Sequence, residues 1–252
     1  MRTGLVVGNW KMNGGLAANS RLLDALLAGW PSQPADEAAP GSSGDLAVCV
    51  PFPYLGQAQA ALAGSRIAWG AQDVSANASG AYTGDVAAAM LLEFGCRYVL
   101  VGHSERRQMH AEGDAIVAAK ARATLDAGMT PVVCVGETLA EREANATVAV
   151  VTRQLAAVAS ALCDDLPRIV LAYEPLWAIG TGRTASPAQA QEVHALLRQA
   201  LGRARAADVR VLYGGSVKAA NAKALFAMPD VDGGLVGGAS LDAAEFLAIA
   251  RA

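Results

Sequence analysis

Eight short apolar runs recur along the chain, each followed by a stretch of helix length. They fall near Leu5–Gly8, Leu46–Val50, Ile67–Gln72, Tyr98–Gly102, Met129–Val135, Ile169–Glu174, Val209–Gly214 and Gly234–Val236. The runs are continuously apolar rather than alternating, as in Val132-Val-Cys-Val135 and Ile169-Val-Leu-Ala172. An alternating strand keeps one face in water, whereas a continuously apolar strand is buried on both, as in a parallel sheet covered by helices. Strand–helix alternation argues for such a sheet. Eight units in 252 residues fit an α/β chain closed as a single-domain (β/α)8 barrel. An open doubly wound sheet is the rival, and spacing alone does not exclude it.

The intervening stretches carry helix signals. Ser186-Pro187-Ala-Gln189 offers an N-cap serine, proline at the first helical position and a capping-box glutamine, with Gly202 as a stop. Gly95 and Gly128 end patterns that begin near Asp85 and Asp114. Two segments break the rhythm. Residues 31–45 are rich in Pro, Gly and Ser and lead from a helix to a strand, at the end of a barrel away from chemistry. They read as a flexible surface insertion. Residues 73–84 form a strand-to-helix loop long enough to project.

Composition narrows the partners. Hydrophobic residues make up 53% and charged residues only 17%, where about 25% is usual, so the chain is not a disordered, solvating one. No run approaches the roughly 18–20 uninterrupted apolar residues of a membrane span. The net charge of −3 gives no basic footprint for nucleic acid. The opening residues do not read as a signal peptide, which suits a cytoplasmic protein. Cys49, Cys96, Cys134 and Cys163 are widely spaced and read as reduced thiols. His103, His110 and His194 suggest no metal set.

Polar and glycine-rich signals gather just past the strands. Asn9 and Lys11 follow the first run, His103-Ser-Glu-Arg-Arg107 the fourth, Gly214-Gly215-Ser216 the seventh and Gly237-Gly238 the eighth; Glu174 ends the sixth. In a (β/α)8 barrel all these positions share one face, where active sites sit. The small residues after the last two strands let backbone N–H groups approach an anion, so they read as a phosphate site. Glu174 is a rim carboxylate beside Pro175, Leu176 and Trp177, whose apolar surroundings would raise its pKa toward that of a base. His103 is a candidate proton donor, and Lys11 a cation for an anionic substrate. Each also has a plainer reading: a rim salt bridge, a structural histidine, a solvated lysine.

Five segments resemble the triosephosphate isomerase family: Asn9-Trp-Lys-Met-Asn13, Gly102-His-Ser-Glu-Arg-Arg107, Ala172-Tyr-Glu-Pro-Leu-Trp-Ala-Ile-Gly-Thr-Gly182, Tyr213-Gly-Gly-Ser-Val217 and Leu235-Val-Gly-Gly-Ala-Ser240. They occur in the family's order, from about residue 4 to residue 249. The resemblance implies a TIM barrel without cofactor or metal that interconverts two triose phosphates. Glu174 would be the base, and His103 a neutral imidazole that polarises the carbonyl. This pairing, with water-excluding loop closure, has triosephosphate isomerase as its standing example. Lys11 and Asn9 would stabilise the enediolate, with Ser104 and Glu105 in support. Gly180, Ser216, Gly237 and Gly238 would hold the phosphate. Pro175, Leu176, Trp177, Ala178, Ile179, Gly180 and Thr181 would form a lid. Residues 73–84 resemble the family's inter-subunit loop, which implies a homodimer with Thr83 reaching the neighbour's Lys11 region. Against the family pattern, residues 31–45 are longer than expected and Val101 replaces a larger aliphatic.

Other readings stay open on sequence. Gly180-Thr-Gly182-Arg-Thr-Ala185 fits a dinucleotide fingerprint, but it does not turn straight from strand to helix, and Arg205 stands where an acid belongs. An aldolase-type Schiff base on Lys11 would be trapped by borohydride. A silent phosphate-binding or scaffold protein would bind ligand without turnover, and the plainer reading of residues 73–84 is an Ω-loop on their own subunit.

Overall fold

The computed structural model describes residues 2–30, 44–178 and 184–252. Eight parallel strands, β1 (Leu5–Asn9), β2 (Asp45–Val50), β3 (Ile67–Ala71), β4 (Tyr98–Val101), β5 (Thr130–Val135), β6 (Val170–Tyr173), β7 (Arg210–Tyr213) and β8 (Gly233–Val236), close in chain order, with β8 paired to β1. Every expected strand is present to within one residue at each end. The helices are α1 (Leu16–Gly29), α2 (Leu55–Leu62), α3 (Ala88–Glu93), α4 (Ser104–Met109), α5 (Asp114–Asp126), α6 (Leu139–Glu143), α7 (Thr147–Leu162), α8 (Pro187–Arg203), α9 (Ala219–Phe226) and α10 (Ala243–Ala250). Closure, not an open sheet, is what the runs encode.

Both faces of the strands are buried, which explains why the runs do not alternate. Inside the barrel lie Leu5, Val7, Ala47, Cys49, Tyr98, Leu100, Val132, Cys134, Val170, Ala172, Leu212 and Leu235. Their neighbours Val6, Val48, Val50, Val99, Val133, Leu171 and Val211 point outward into the shell shared with the helices. The period of two then carries inward positions past the strand ends: Leu5, Val7, Asn9 and Val170, Ala172, Glu174. At the opposite end the same alternation turns Asp45 and Arg210 inward, where Arg210 Nη1 donates to Asp45 Oδ2 at 2.8 Å and Nη2 to Tyr98 Oη at 3.2 Å. That end is closed by a charged plug.

Local signals hold in part. Ser186 and Gln189 form the expected capping box at α8, but the helix runs through Gly202 to Arg203. Gly128 has φ +86 just past α5. The pattern placed near Asp85 starts later, at Ala88, because Asp85 is taken by Ser75 Oγ at 2.7 Å, which ties the base of the long loop. Cys49, Cys96 and Cys134 are buried and Cys163 is exposed. Residues 147–168 are long and apolar enough to cross a membrane by length and composition. In this fold Val150, Val151, Leu155, Val158 and Leu162 of that stretch are buried in protein, against α5, α8 and β5. Of the expected insertion only residues 44–45 are described; the rest lies outside the described residues.

Candidate active site

The C-terminal mouth gathers side chains from β1, β4 and β6. Asn9 is buried, and its Oδ1 accepts the Lys11 N–H at 3.0 Å. That bond supports a turn in which Lys11 takes φ +50, a left-handed conformation that costs a lysine energy and persists where surroundings enforce it. Lys11 Nζ lies 2.6 Å from Glu105 Oε1. His103 caps α4, and its Nδ1 accepts the Glu105 N–H at 3.2 Å. With Nδ1 an acceptor, the ring's proton belongs on Nε2, which stands 2.9 Å from Glu174 Oε1. The other oxygen, Glu174 Oε2, accepts the Ser104 N–H at 2.8 Å.

Two glycines let the base sit here. A Cβ on Gly136 would lie 1.8 Å from the Glu174 carbonyl oxygen, so only glycine lets β5 and β6 approach at this level. A Cβ on Gly214 would come within 2.9 Å of Glu174 Cγ.

The tuning differs from the sequence expectation. Burial is the largest influence on Glu174 and pushes its carboxyl up, as expected. His103's charge and hydrogen bond, the Ser104 N–H and Lys11 together outweigh it, and the net shift is downward. For His103 burial likewise acts first, pulling the imidazole down, but Glu174 and Glu105 overcome it and raise the ring. In this arrangement the carboxyl is therefore lowered, where its apolar neighbours were expected to raise it, and the imidazole is raised. The physical reason is the direct contact between the two groups, which each stabilise the other's charged form.

In front of them opens a cavity of about 350 Å³, lined by Asn9, Lys11, His103, Glu174, Ser216, Gly237 and Gly238 among others. Gly237 and Gly238 open a short 3-10 turn, Gly238–Leu241. Ala178 reaches the cavity, while Leu176 and Trp177 are half-buried beside it; Ile179, Gly180 and Thr181 lie outside the described residues. Thr83 is exposed on the long loop. A second cavity of about 600 Å³ shares Asn9, Lys11, Asn13 and His103, is also lined by Glu105, and is rimmed by Met12, Phe52 and Met109. Among the described residues no three His, Cys, Asp or Glu side chains gather as a metal site.

Sequence reading missed two groups. Lys218 lines the smaller cavity beyond Ser216. Glu137, fully buried just past β5, accepts hydrogen bonds from Tyr173 Oη at 3.1 Å, Trp177 Nε1 at 3.0 Å and Arg142 Nη1 at 3.2 Å. Its place immediately beyond a strand end, like that of Glu174, was the available signal.

A carboxylate and an imidazole in contact above a small pocket with a cation and two glycine-bearing loops define a barrel enzyme built for proton transfer on a small anionic substrate. Comparison with known proteins narrows this class. The family model for triosephosphate isomerase matches residues 4–252. The triosephosphate isomerase of Bordetella pertussis is 66% identical over 251 residues, covering 100% of this chain and 98% of the relative. That of Cupriavidus necator is 60% identical over 257 residues, covering all of both chains, and that of Thiobacillus denitrificans 60% over 256, covering 100% and 99%. The chain belongs to the triosephosphate isomerase family.

Proposed function

We propose that the protein interconverts dihydroxyacetone phosphate and D-glyceraldehyde 3-phosphate in glycolysis and gluconeogenesis, by proton transfer through an enediol(ate). The observation that carries the reading is the meeting of Glu174, His103 and Lys11 at one cavity with the Ser216 and Gly237-Gly238 loops.

The 2.9 Å contact between Glu174 and His103 belongs to the resting site. Substrate enters between them, and its arrival separates the pair. Glu174 then faces a carbon-bound proton without its cationic neighbour, and burial, already the largest influence on it, raises its basicity. His103 loses the charge that raised it and returns to a neutral imidazole whose Nε2–H donates to the carbonyl oxygen. Nδ1 stays committed to the Glu105 N–H, so the ring has one proton to share between the two oxygens. Lys11, held by Glu105, keeps a positive charge beside the forming enediolate, with Asn9 as a further polar contact. The phosphate lies against Ser216, Gly237 and Gly238. Pro175, Leu176, Trp177 and Ala178, the described start of the lid, close over the intermediate and exclude water, so that it does not eliminate its phosphate.

The enzyme works in the cytoplasm as a homodimer. Exposed Met12, Phe52 and Met109 around the larger cavity support this reading, as does the projecting loop that carries Tyr82 and Thr83. The loop of one subunit fills the cavity of the other, beside Lys11.

A coupled assay with glyceraldehyde 3-phosphate tests the proposal. The wild type is expected to turn over, and Glu174→Gln to lose at least a thousandfold in kcat with substrate binding retained, on the order of what a positioned base supplies. An inactive wild type, or an undiminished variant, overturns it.

A further inference from the structure

Among the described residues that line the cavity in front of Glu174, two carry a permanent positive charge, Lys11 and Lys218. A Cβ on Gly237 would lie 3.4 Å from Lys11 Cε, so the stem of Lys11 runs past the Gly237-Gly238 loop. Its ammonium is nevertheless taken by Glu105 Oε1 at 2.6 Å. Lys218 stands two residues beyond Ser216, exposed and without an ion-pair partner among the described residues. It is the free cation of the cavity wall.

The chain around Lys218 is fixed in a way that removes another means of holding an anion there. Helix α9 starts at Ala219, and a helix N-terminus ordinarily offers unpaired N–H groups and a positive dipole end to a phosphate. Here the first donors are already used. Asn221 Oδ1 accepts the Lys218 N–H at 2.8 Å, and Asn221 Nδ2 donates to the Ser216 carbonyl at 3.1 Å. Glu245 Oε1 accepts the Ala219 N–H at 2.7 Å and brings a carboxylate to the start of the helix. Glu245 is tied in turn to the loop after β8, because Asp242 Oδ1 accepts its N–H at 2.9 Å just past the turn Gly238–Leu241. A phosphate at these loops therefore meets a helix end capped by negative charge, and a side chain has to match its own.

The geometry points to Lys218 as a binding residue whose ammonium draws the phosphate end of the substrate to the Ser216 and Gly237-Gly238 loops and offsets Glu245 there. The inference deepens the isomerase reading given above and rests on it for the substrate. Lys218 takes no part in the proton transfer, which belongs to Glu174, His103 and Lys11. A cation so exposed acts on approach and on binding, and salt screens it.

Phosphorus NMR titration of the full chain with inorganic phosphate, beside steady-state kinetics, tests this. In Lys218→Met the dissociation constant for inorganic phosphate is expected to rise about two- to fivefold, the range of an exposed ion pair. KM for glyceraldehyde 3-phosphate should rise by a similar factor with kcat held within about twofold, as when a contact common to ground and transition states is lost. The fall of kcat/KM with added salt should also become shallower. Lys218→Arg keeps the charge and should restore all three readouts. A stem that only propped the loop would leave the salt slope where it was. An unchanged phosphate affinity, a loss confined to kcat, an unaltered salt slope or no recovery in Lys218→Arg overturns the proposal. If Lys218→Met does not fold, Glu245→Gln gives the converse: it keeps an acceptor for Ala219, removes the opposing charge and should tighten inorganic phosphate. Unchanged or weaker binding there overturns the proposal as well. If the wild type does not isomerise, the isomerase reading falls, yet the phosphate titrations still judge Lys218.

Discussion

Burial is the largest single influence on both Glu174 and His103, and their charged and hydrogen-bonding neighbours together outweigh it. Burial pulls the carboxyl up and the imidazole down, yet their contact, with Ser104 and Lys11 on one side and Glu105 on the other, reverses both. The depressed carboxyl contributes stability above its ordinary value of 4.5 and loses it as pH falls through the folded value. The raised imidazole contributes below its ordinary 6.5 and loses it as pH rises through the folded value. The pair is therefore most effective between the two. His103→Gln should lift the Glu174 carboxyl above the usual carboxylate range, since burial then acts with less opposition. Carbon-13 titration of the labelled carboxyl checks this; a Glu174 that stays low would mean that Ser104 and Lys11 alone hold it. The residues that meet here were readable in advance as strand-end polar groups. Their resting contact was not, because it depends on side-chain positions about 70 residues apart that only barrel closure brings together.

Helix α8 shows what an element adds beyond its caps. Its start was legible in Ser186-Pro187-Ala-Gln189, yet its most consequential side chain, His194, had no readable partner. It is fully buried against the rings of Tyr173 on β6 and Tyr213 on β7, with centroids at 5.8 and 6.3 Å. Nδ1 faces the Asp230 carbonyl at 3.2 Å, and Nε2 has no partner among the described residues. Burial, above all, lowers the imidazole to about 4. The unfolded chain thus binds the proton first as pH drops, so stability should fall between about pH 6.5 and 4, by up to about 3 kcal/mol. Urea unfolding at pH 7 and pH 5 should show a smaller loss in His194→Gln than in the wild type. Equal losses would remove His194 as the cause. The strands, by contrast, were readable almost to the residue, because burial on both faces writes an unbroken apolar run. Glu137 and Arg142 escaped notice because their partners, Tyr173 and Trp177, lie on the next strand–helix unit and meet them only across the barrel rim.

At the scale of the whole molecule, the apolar surplus in the composition has two destinations, the double-sided barrel core and the exposed Met12, Phe52 and Met109 beside the site. Met12 is 97% exposed in the single chain, which is costly for an unpartnered apolar side chain at the mouth of a cavity. Met12→Lys should therefore shift sedimentation toward monomer at assay concentration and reduce kcat together with the dimer fraction. A wild type that is fully active as a monomer would defeat the dimer reading. The far end of the barrel tells a different story. There Arg210, Asp45 and Tyr98 bar the axis with paired charge and hydroxyl, out of reach of Glu174, His103 and Lys11. One pole of the molecule is tied by these side-chain bonds across the barrel and the other holds the site, with layers of apolar side chains between them. Such a separation leaves each pole free to vary under its own selection: loops at the mouth can be rewritten without unfastening the base, and the base can be tightened without slowing turnover.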